Sequence, residues 1–144
     1  MRIDGEWFVG DDGIARPVVP GEVLAADQSW MPAPFLLDTG ADRTVLNAAM
    51  LRLLGFALEP SPDRIGGLGG LVSSVSIETS IRLTHEGGGQ VLLRGRFAAV
   101  TDLEALDVCV LGRDVTGLFA VIVDRPASIV CLLRERHQYA IRQT

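Results

Sequence analysis

The chain has 144 residues, enough for one domain with its own core and too few for two comfortable ones. Hydrophobic residues make up 48% and charged residues 22%, which excludes a disordered chain. The formal net charge is -5, the pI is about 4.9 and no basic stripe is visible, so no nucleic-acid partner is expected.

The opening segment, MRIDGEWFVGDDG, is charged and broken by glycines and does not read as a signal peptide. Residues 1–20 read as an N-terminal hairpin extension. Trp7-Phe8-Val9 is apolar, Asp11-Asp12-Gly13 is a turn signal, and an extended pattern resumes at Ile14. Pro17 and Pro20 place this segment at a sheet edge or outside the sheet. Residues 23–26 and 31–37 read as a second hairpin across Asp27-Gln28-Ser29. Thr44-Val45-Leu46 continues as a short strand. Asn47 is suited to cap a helix over 48–54, and Gly55 stands where a helix C-terminal glycine belongs. Pro60-Ser61-Pro62 forbids more helix.

Four glycines within residues 66–70 fit neither a packed helix nor a regular central strand. No Lys-Ser/Thr pair follows them, so a phosphate cradle is excluded. Alternation resumes at once, with Val75, Ile77, Ile81 and Leu83 interleaved with Ser74, Ser76, Ser80 and Arg82. A glycine tip between two strands predicts a β-hairpin lid over 63–77. Residues 85–90 form a turn and 91–100 a further strand. An apolar run ends in Gly112-Arg113-Asp114. Residues 119–123 and 128–133 form the last hairpin, turning at Asp124-Arg125-Pro126. That turn splits the most apolar region, so no membrane span is expected. The tail, 134–144, adds an interface strand or lies on the surface.

Cys109 and Cys131 are too few for a disulfide scaffold and read as reduced, buried thiols, which points to a cytoplasmic location. His85 and His137 have no Cys or Glu partner at metal spacing, so no metal and no cofactor are expected.

The chemistry concentrates at Asp38. The apolar strand Phe35-Leu36-Leu37 runs into a carboxylate followed by a hydroxyl, a glycine and an alanine. An acid at the end of a buried strand is costly to ionise unless its charge is shared or accepted. No serine or cysteine stands in a nucleophile elbow.

Residues 35–46, FLLDTGADRTVL, closely resemble the active-site segment of retroviral-type aspartic proteases, the retropepsins. Two further matches follow in the order that family requires: IGGLGG, which resembles the flap, and Val108-Cys109-Val110-Leu111-Gly112-Arg113-Asp114, which resembles the second half-motif. The chain continues beyond the end of viral members and is closer to cellular and bacterial single-domain relatives. The resemblance implies an all-β fold with one or two short helices, one of them over 115–118. It would be an acid-protease barrel over 1–144 with one lobe per chain, closed as a symmetric homodimer. A single DTG triplet is present, so a second chain must supply the second aspartate.

By resemblance Asp38, Thr39 and Gly40 are catalytic, with Thr39 locking two such loops together and Gly40 binding substrate backbone. Ala41, Asp42, Val45, Val108 and Val110 would contact substrate from the walls. Ile65, Gly66, Gly67 and Leu68 would act from the flap, Leu68 at its tip. Gly112 would pack behind the catalytic loop, and Arg113 would brace it through a bidentate, partly buried pair with Asp42. The implied activity is hydrolysis of an extended polypeptide with hydrophobic residues beside the cut. The competing readings are a catalytically silent peptide-binding or dimerisation module, and a chain active only when assembled with another partner.

Overall fold

The computed structural model describes residues 1–67 and 70–135. Strand β1 (Arg2–Asp4) is followed by β2 (Glu6–Val9), β3 (Ala15–Leu24), β4 (Trp30–Leu37) and β5 (Val45–Leu46). Helix α1 (Ala48–Leu54) precedes β6 (Glu59–Gly67), β7 (Gly70–Thr84), β8 (Gln90–Val100) and β9 (Cys109–Leu111). Helix α2 (Arg113–Thr116), β10 (Ala120–Asp124) and β11 (Ile129–Leu133) complete the chain.

Eight strands form one sheet in the order β2-β3-β4-β9-β5-β8-β7-β6. It curls until β3 also meets β7, with Glu22 opposite Arg82 and Val23 opposite Ile81. Strands β3, β4, β9, β5, β8 and β7 therefore close into a ring, and β2 and β6 remain outside it. Closure removes the unpaired strand edges that an open sheet would present. At the seam the Arg82 guanidinium pairs with Glu22 and lies 4.3 Å from the Trp30 ring centre. Inside the ring, Val19, Val23, Phe35, Leu46, Leu54, Ile81, Leu83 and Leu111 are shut off from water.

The prolines of β3 and β4 explain where neighbours stop. Strand β3 is an interior strand, contrary to the edge position that Pro17 and Pro20 suggested. Pro20 stands directly opposite Pro34. Neither has an N–H, so both nitrogens must point away from each other. On the far side of β3 the β2 ladder ends at Val18 and the β7 contact begins at Glu22, so Pro20 fills a gap where no donor is needed. Pro32 and Pro34 likewise precede the stretch of β4 that pairs with β9, which starts at Phe35.

The N-terminal extension divides between two sheets. The hairpin is β2–β3, while β1 joins a separate sheet, β1-β11-β10, with Arg2 opposite Leu133. The two ends of the described chain are thus held together, and Arg134 N donates to the Met1 carbonyl. The tail from residue 136, His137 included, lies outside the described residues.

Helix α1 takes its expected span. The Asn47 side chain accepts from Met50 N at 3.0 Å, and Gly55 turns the chain left-handed at φ 70°. Asn47 also donates from Nδ2 to the Asp107 carbonyl, and its N–H points to Cys109 Sγ. Burial pushes the Cys109 thiol above its ordinary pKa, and both cysteines are free. Helix α2 starts two residues before its expected position, because Gly112, not a later residue, takes the extended N-cap conformation. The glycine-rich hairpin is longer than expected: β6 and β7 pair from Glu59 opposite Ser76 to Gly67 opposite Gly70, with an irregularity between Pro60 and Arg64. Strand β6 tolerates its prolines and glycines because it is an outer strand.

Replacing Asn47 with Ala removes the helix cap and the tie to Asp107. The expected loss is about 1–2 kcal/mol, read as a lower denaturation midpoint at unchanged m-value.

Candidate active site

Strand β4 pairs in parallel with β9, placing Leu36 opposite Val110 and Leu37 opposite Leu111. The two chains therefore leave the sheet side by side, one into residues 38–44 and the other into Gly112 and α2. Asp38 N still donates to the Leu111 carbonyl at 3.2 Å. The chain then turns: Gly40 N donates to Asp38 Oδ1 at 2.9 Å and Ala41 N to the Asp38 carbonyl at 3.2 Å. The half-buried Asp38 carboxylate is thereby fixed at one oxygen. Thr39 and Gly40 are exposed.

Behind this loop, a Cβ on residue 112 would lie 2.3 Å from both the carbonyl carbon and the oxygen of Arg43. Only glycine fits there. The close approach lets Arg113 N donate to the Ala41 carbonyl at 2.8 Å and Asp114 N to the Asp42 carbonyl at 3.2 Å. Thr44, fully buried, completes the joint. Its hydroxyl donates to Asp114 Oδ1 at 2.7 Å and accepts from Gly112 N at 3.1 Å, and its own N–H donates to the same Asp114 oxygen at 2.9 Å. Thr44 and Asp114 stand within the matched motifs, but the sequence assigned neither of them a role, although a threonine between Arg43 and Val45 in a strand that must be buried was a usable signal.

Arg113 does brace the loop, but not as a buried bidentate pair. One terminal nitrogen contacts Asp42 and the other donates to the Thr39 carbonyl at 2.7 Å. The side chains are 52% and 83% exposed, so the ion pair itself contributes at most about 1 kcal/mol. The carbonyl contact is what ties Arg113 to the Asp38-Thr39-Gly40 triplet.

Asp38 lies in the wall of a cavity of about 440 Å³ together with Ala41, Val45, Ile65, Gly66 and Val110. A neighbouring cavity of about 430 Å³ takes in Gly40, Ala41, Asp42, Arg43, Val45, Ile65 and Gly66. Residues from three separate sequence motifs thus meet beneath the β6–β7 hairpin. Gly67 is the last paired residue of β6, and Leu68 lies outside the described residues. Val108 is not part of this group. It lines a separate cavity with Phe8, Arg16 and Pro34, because it precedes β9 and does not follow that strand's alternation. The motifs also left out the far wall: Val72 and Val100, then Asp102, Glu104, Ala105 and Leu106 from the segment between β8 and β9. Among the described residues no group of three or more His, Cys, Asp or Glu is placed to hold a metal ion.

Two substitutions test this joint by denaturation. Gly112→Ala is expected to cost more than about 3 kcal/mol, because backbone must move to admit the methyl group. Thr44→Val keeps the shape but orphans the buried Gly112 N–H, at about 1–3 kcal/mol.

Residues 27–115 match a family model described as Aspartyl protease. Among solved structures, EIAV protease complexed with the inhibitor HBY-793 is similar at 29% identity and a TM-score of 0.52, over 71% of this chain and 86% of that one. A retropepsin-like aspartic protease from Rickettsia conorii is similar in fold, with a TM-score of 0.54 at 17% identity over 92% of this chain and 86% of that one. No match was found among curated proteins. With its mostly β, retropepsin-like fold, the chain belongs to the aspartyl protease family.

Proposed function

We propose that this protein is an aspartic endopeptidase whose active site forms between two copies of the chain, each contributing Asp38. The observation that carries the reading is Asp38 itself. It is tethered to Gly40 N–H at the wall of a cleft beneath a glycine-rich hairpin, in a chain with a single such triplet.

Two carboxylates within hydrogen-bonding distance cannot both ionise cheaply, so the pair holds one proton and titrates as a unit. The ionised member draws a proton from a water held between them. The protonated member donates to the carbonyl oxygen of the scissile peptide. The water attacks, the C–N bond breaks, and the amine leaves with a proton, without a covalent enzyme intermediate. The Gly40 contact supports this role by presenting Asp38 in one orientation before substrate arrives.

Thr39 and Gly40 are exposed in the single chain, which suits contact with a second loop and with substrate backbone. Ile65 and Gly66 line the cleft, which supports reading β6–β7 as a lid that closes on an extended peptide. The apolar contacts from Ala41, Val45 and Val110 suit hydrophobic residues beside the cut, with Asp42 at the outer end. The two free, buried thiols fit a reducing compartment such as the cytoplasm.

The test is cleavage of a mixed peptide library from mildly acidic to neutral pH, with sedimentation run alongside. Cleavage is expected to be blocked by pepstatin, to show a bell-shaped pH profile, and to fall by at least about a thousandfold in Asp38→Asn. Cleavage that survives Asp38→Asn contradicts the mechanism. A dimer that binds peptides and cuts none at any pH marks a silent peptide-binding module instead.

A further inference from the structure

We infer that the cleft selects a basic side chain, arginine or lysine, at one substrate position on each side of the cut. The inference rests on the reading of this cavity as the substrate cleft. It amends the expectation of purely hydrophobic preference, which came from walls that the motifs supplied.

Residues 101–107, between β8 and β9, carry it, and no motif covers them. They place Asp102 and Glu104 in the lining of the same cavity as Asp38. Among the described residues the cavity lining contains three carboxylates and no Arg or His. Asp102 and Glu104 are exposed, and among the described residues neither takes part in an ion pair. Their placement is fixed by the backbone: Glu104 N donates to Asp102 Oδ1 at 2.9 Å and Ala105 N to the Asp102 carbonyl at 3.2 Å. One Asp102 oxygen holds the turn, and the other has no such partner.

The rest of the wall is apolar. Ala105 and Leu106 pack on the small cluster of Val45, Ala98, Val100 and Val110, joined by Ile65 and Val72. A slot with aliphatic sides and an acidic rim matches a side chain with a methylene stem and a cationic head. The stem gains from leaving water while the head stays at the rim. A glutamate there meets like charge, so discrimination comes from repulsion as well as attraction. In a two-fold dimer each half of the cleft repeats the rim, which places the preference on both sides of the cut.

The experiment uses the full chain and matched extended peptides that differ only in carrying Arg, Leu or Glu at each position near the cut in turn. Cleavage is measured with wild type, and binding with Asp38→Asn. At low salt the Arg peptide is expected to exceed the Leu peptide about tenfold in kcat/KM at one position per side, and to lose that lead as salt is raised. In the combined variant Asp102→Asn, Glu104→Gln the Arg-to-Leu ratio falls to about one. The ratio is independent of how much variant is folded, and the amide oxygen introduced by Asp102→Asn retains the acceptor that the turn needs. Glu104→Arg turns the preference toward the Glu peptide. If wild type cuts peptides with no Arg preference at any position, or with one that the variants leave unchanged, the inference is overturned and the protease reading stands. If Asp38→Asn binds the Arg peptide preferentially while wild type cuts nothing, the inference holds and the protease reading falls. If peptides are neither bound nor cut, both fall.

Discussion

The backbone of Arg43 passes through the space where a side chain on residue 112 would stand, and the site depends on that close approach. It brings two loops from opposite ends of the sequence within hydrogen-bonding reach. Thr44 then joins Gly112 to Asp114, and the amides of Arg113 and Asp114 hold the carbonyls of Ala41 and Asp42. Most of these contacts engage backbone groups, and those of Thr44 are buried or partly buried. They are worth more than the exposed Arg113–Asp42 ion pair, whose charges are screened by water. The loop bearing Asp38 is consequently anchored at its rear and open at its front. The proposed proton-sharing pair would need this arrangement, since a shift of an ångström would break the hydrogen bond between its members.

The barrel serves that joint. Parallel pairing of β4 with β9 requires a long crossover, and the chain uses it to build much of the cleft: β5, the β6–β7 hairpin, the end of β8 and residues 102–106. Closure of β3 on β7 then keeps the long hairpin strand in register at its base while its glycine end extends over the cavity. The apolar interior is continuous beneath this frame, and a second small cluster around Val45 and Val110 forms the cleft wall. Rigid support and accessible site are thus adjacent parts of one sheet.

Much of this was legible in the chain because the signals are local. Asn47 and Gly55 bracket α1 through cap chemistry that each residue carries alone. Asp38, Gly112 and Arg113 stand out because a turn, a close approach and a charge need those residue types. What escaped was non-local or irregular. Nothing in Arg2-Ile3-Asp4 announces pairing with residues near the other end of the chain. Pro17 and Pro20 argued for an edge, whereas β3 is an interior strand and Pro20 falls where the neighbouring ladders leave a gap. Val108 was assigned to the cleft by resemblance, yet it lies before the strand begins and lines another cavity. Asp102 and Glu104 sit in a turn with no motif, and their place in the cavity lining shows only in the folded chain.

The central claim is that one functional cleft needs Asp38 from two chains. Mixing subunits tests this directly. Inactive Asp38→Asn protein is titrated into wild type under conditions where subunits exchange, and activity is measured per wild-type chain. If the site is shared, an equal mixture lowers that activity to about half, and excess variant drives it toward zero, because mixed pairs lack one of the two carboxylates. Activity per wild-type chain that stays constant at every ratio, with exchange verified, contradicts the account.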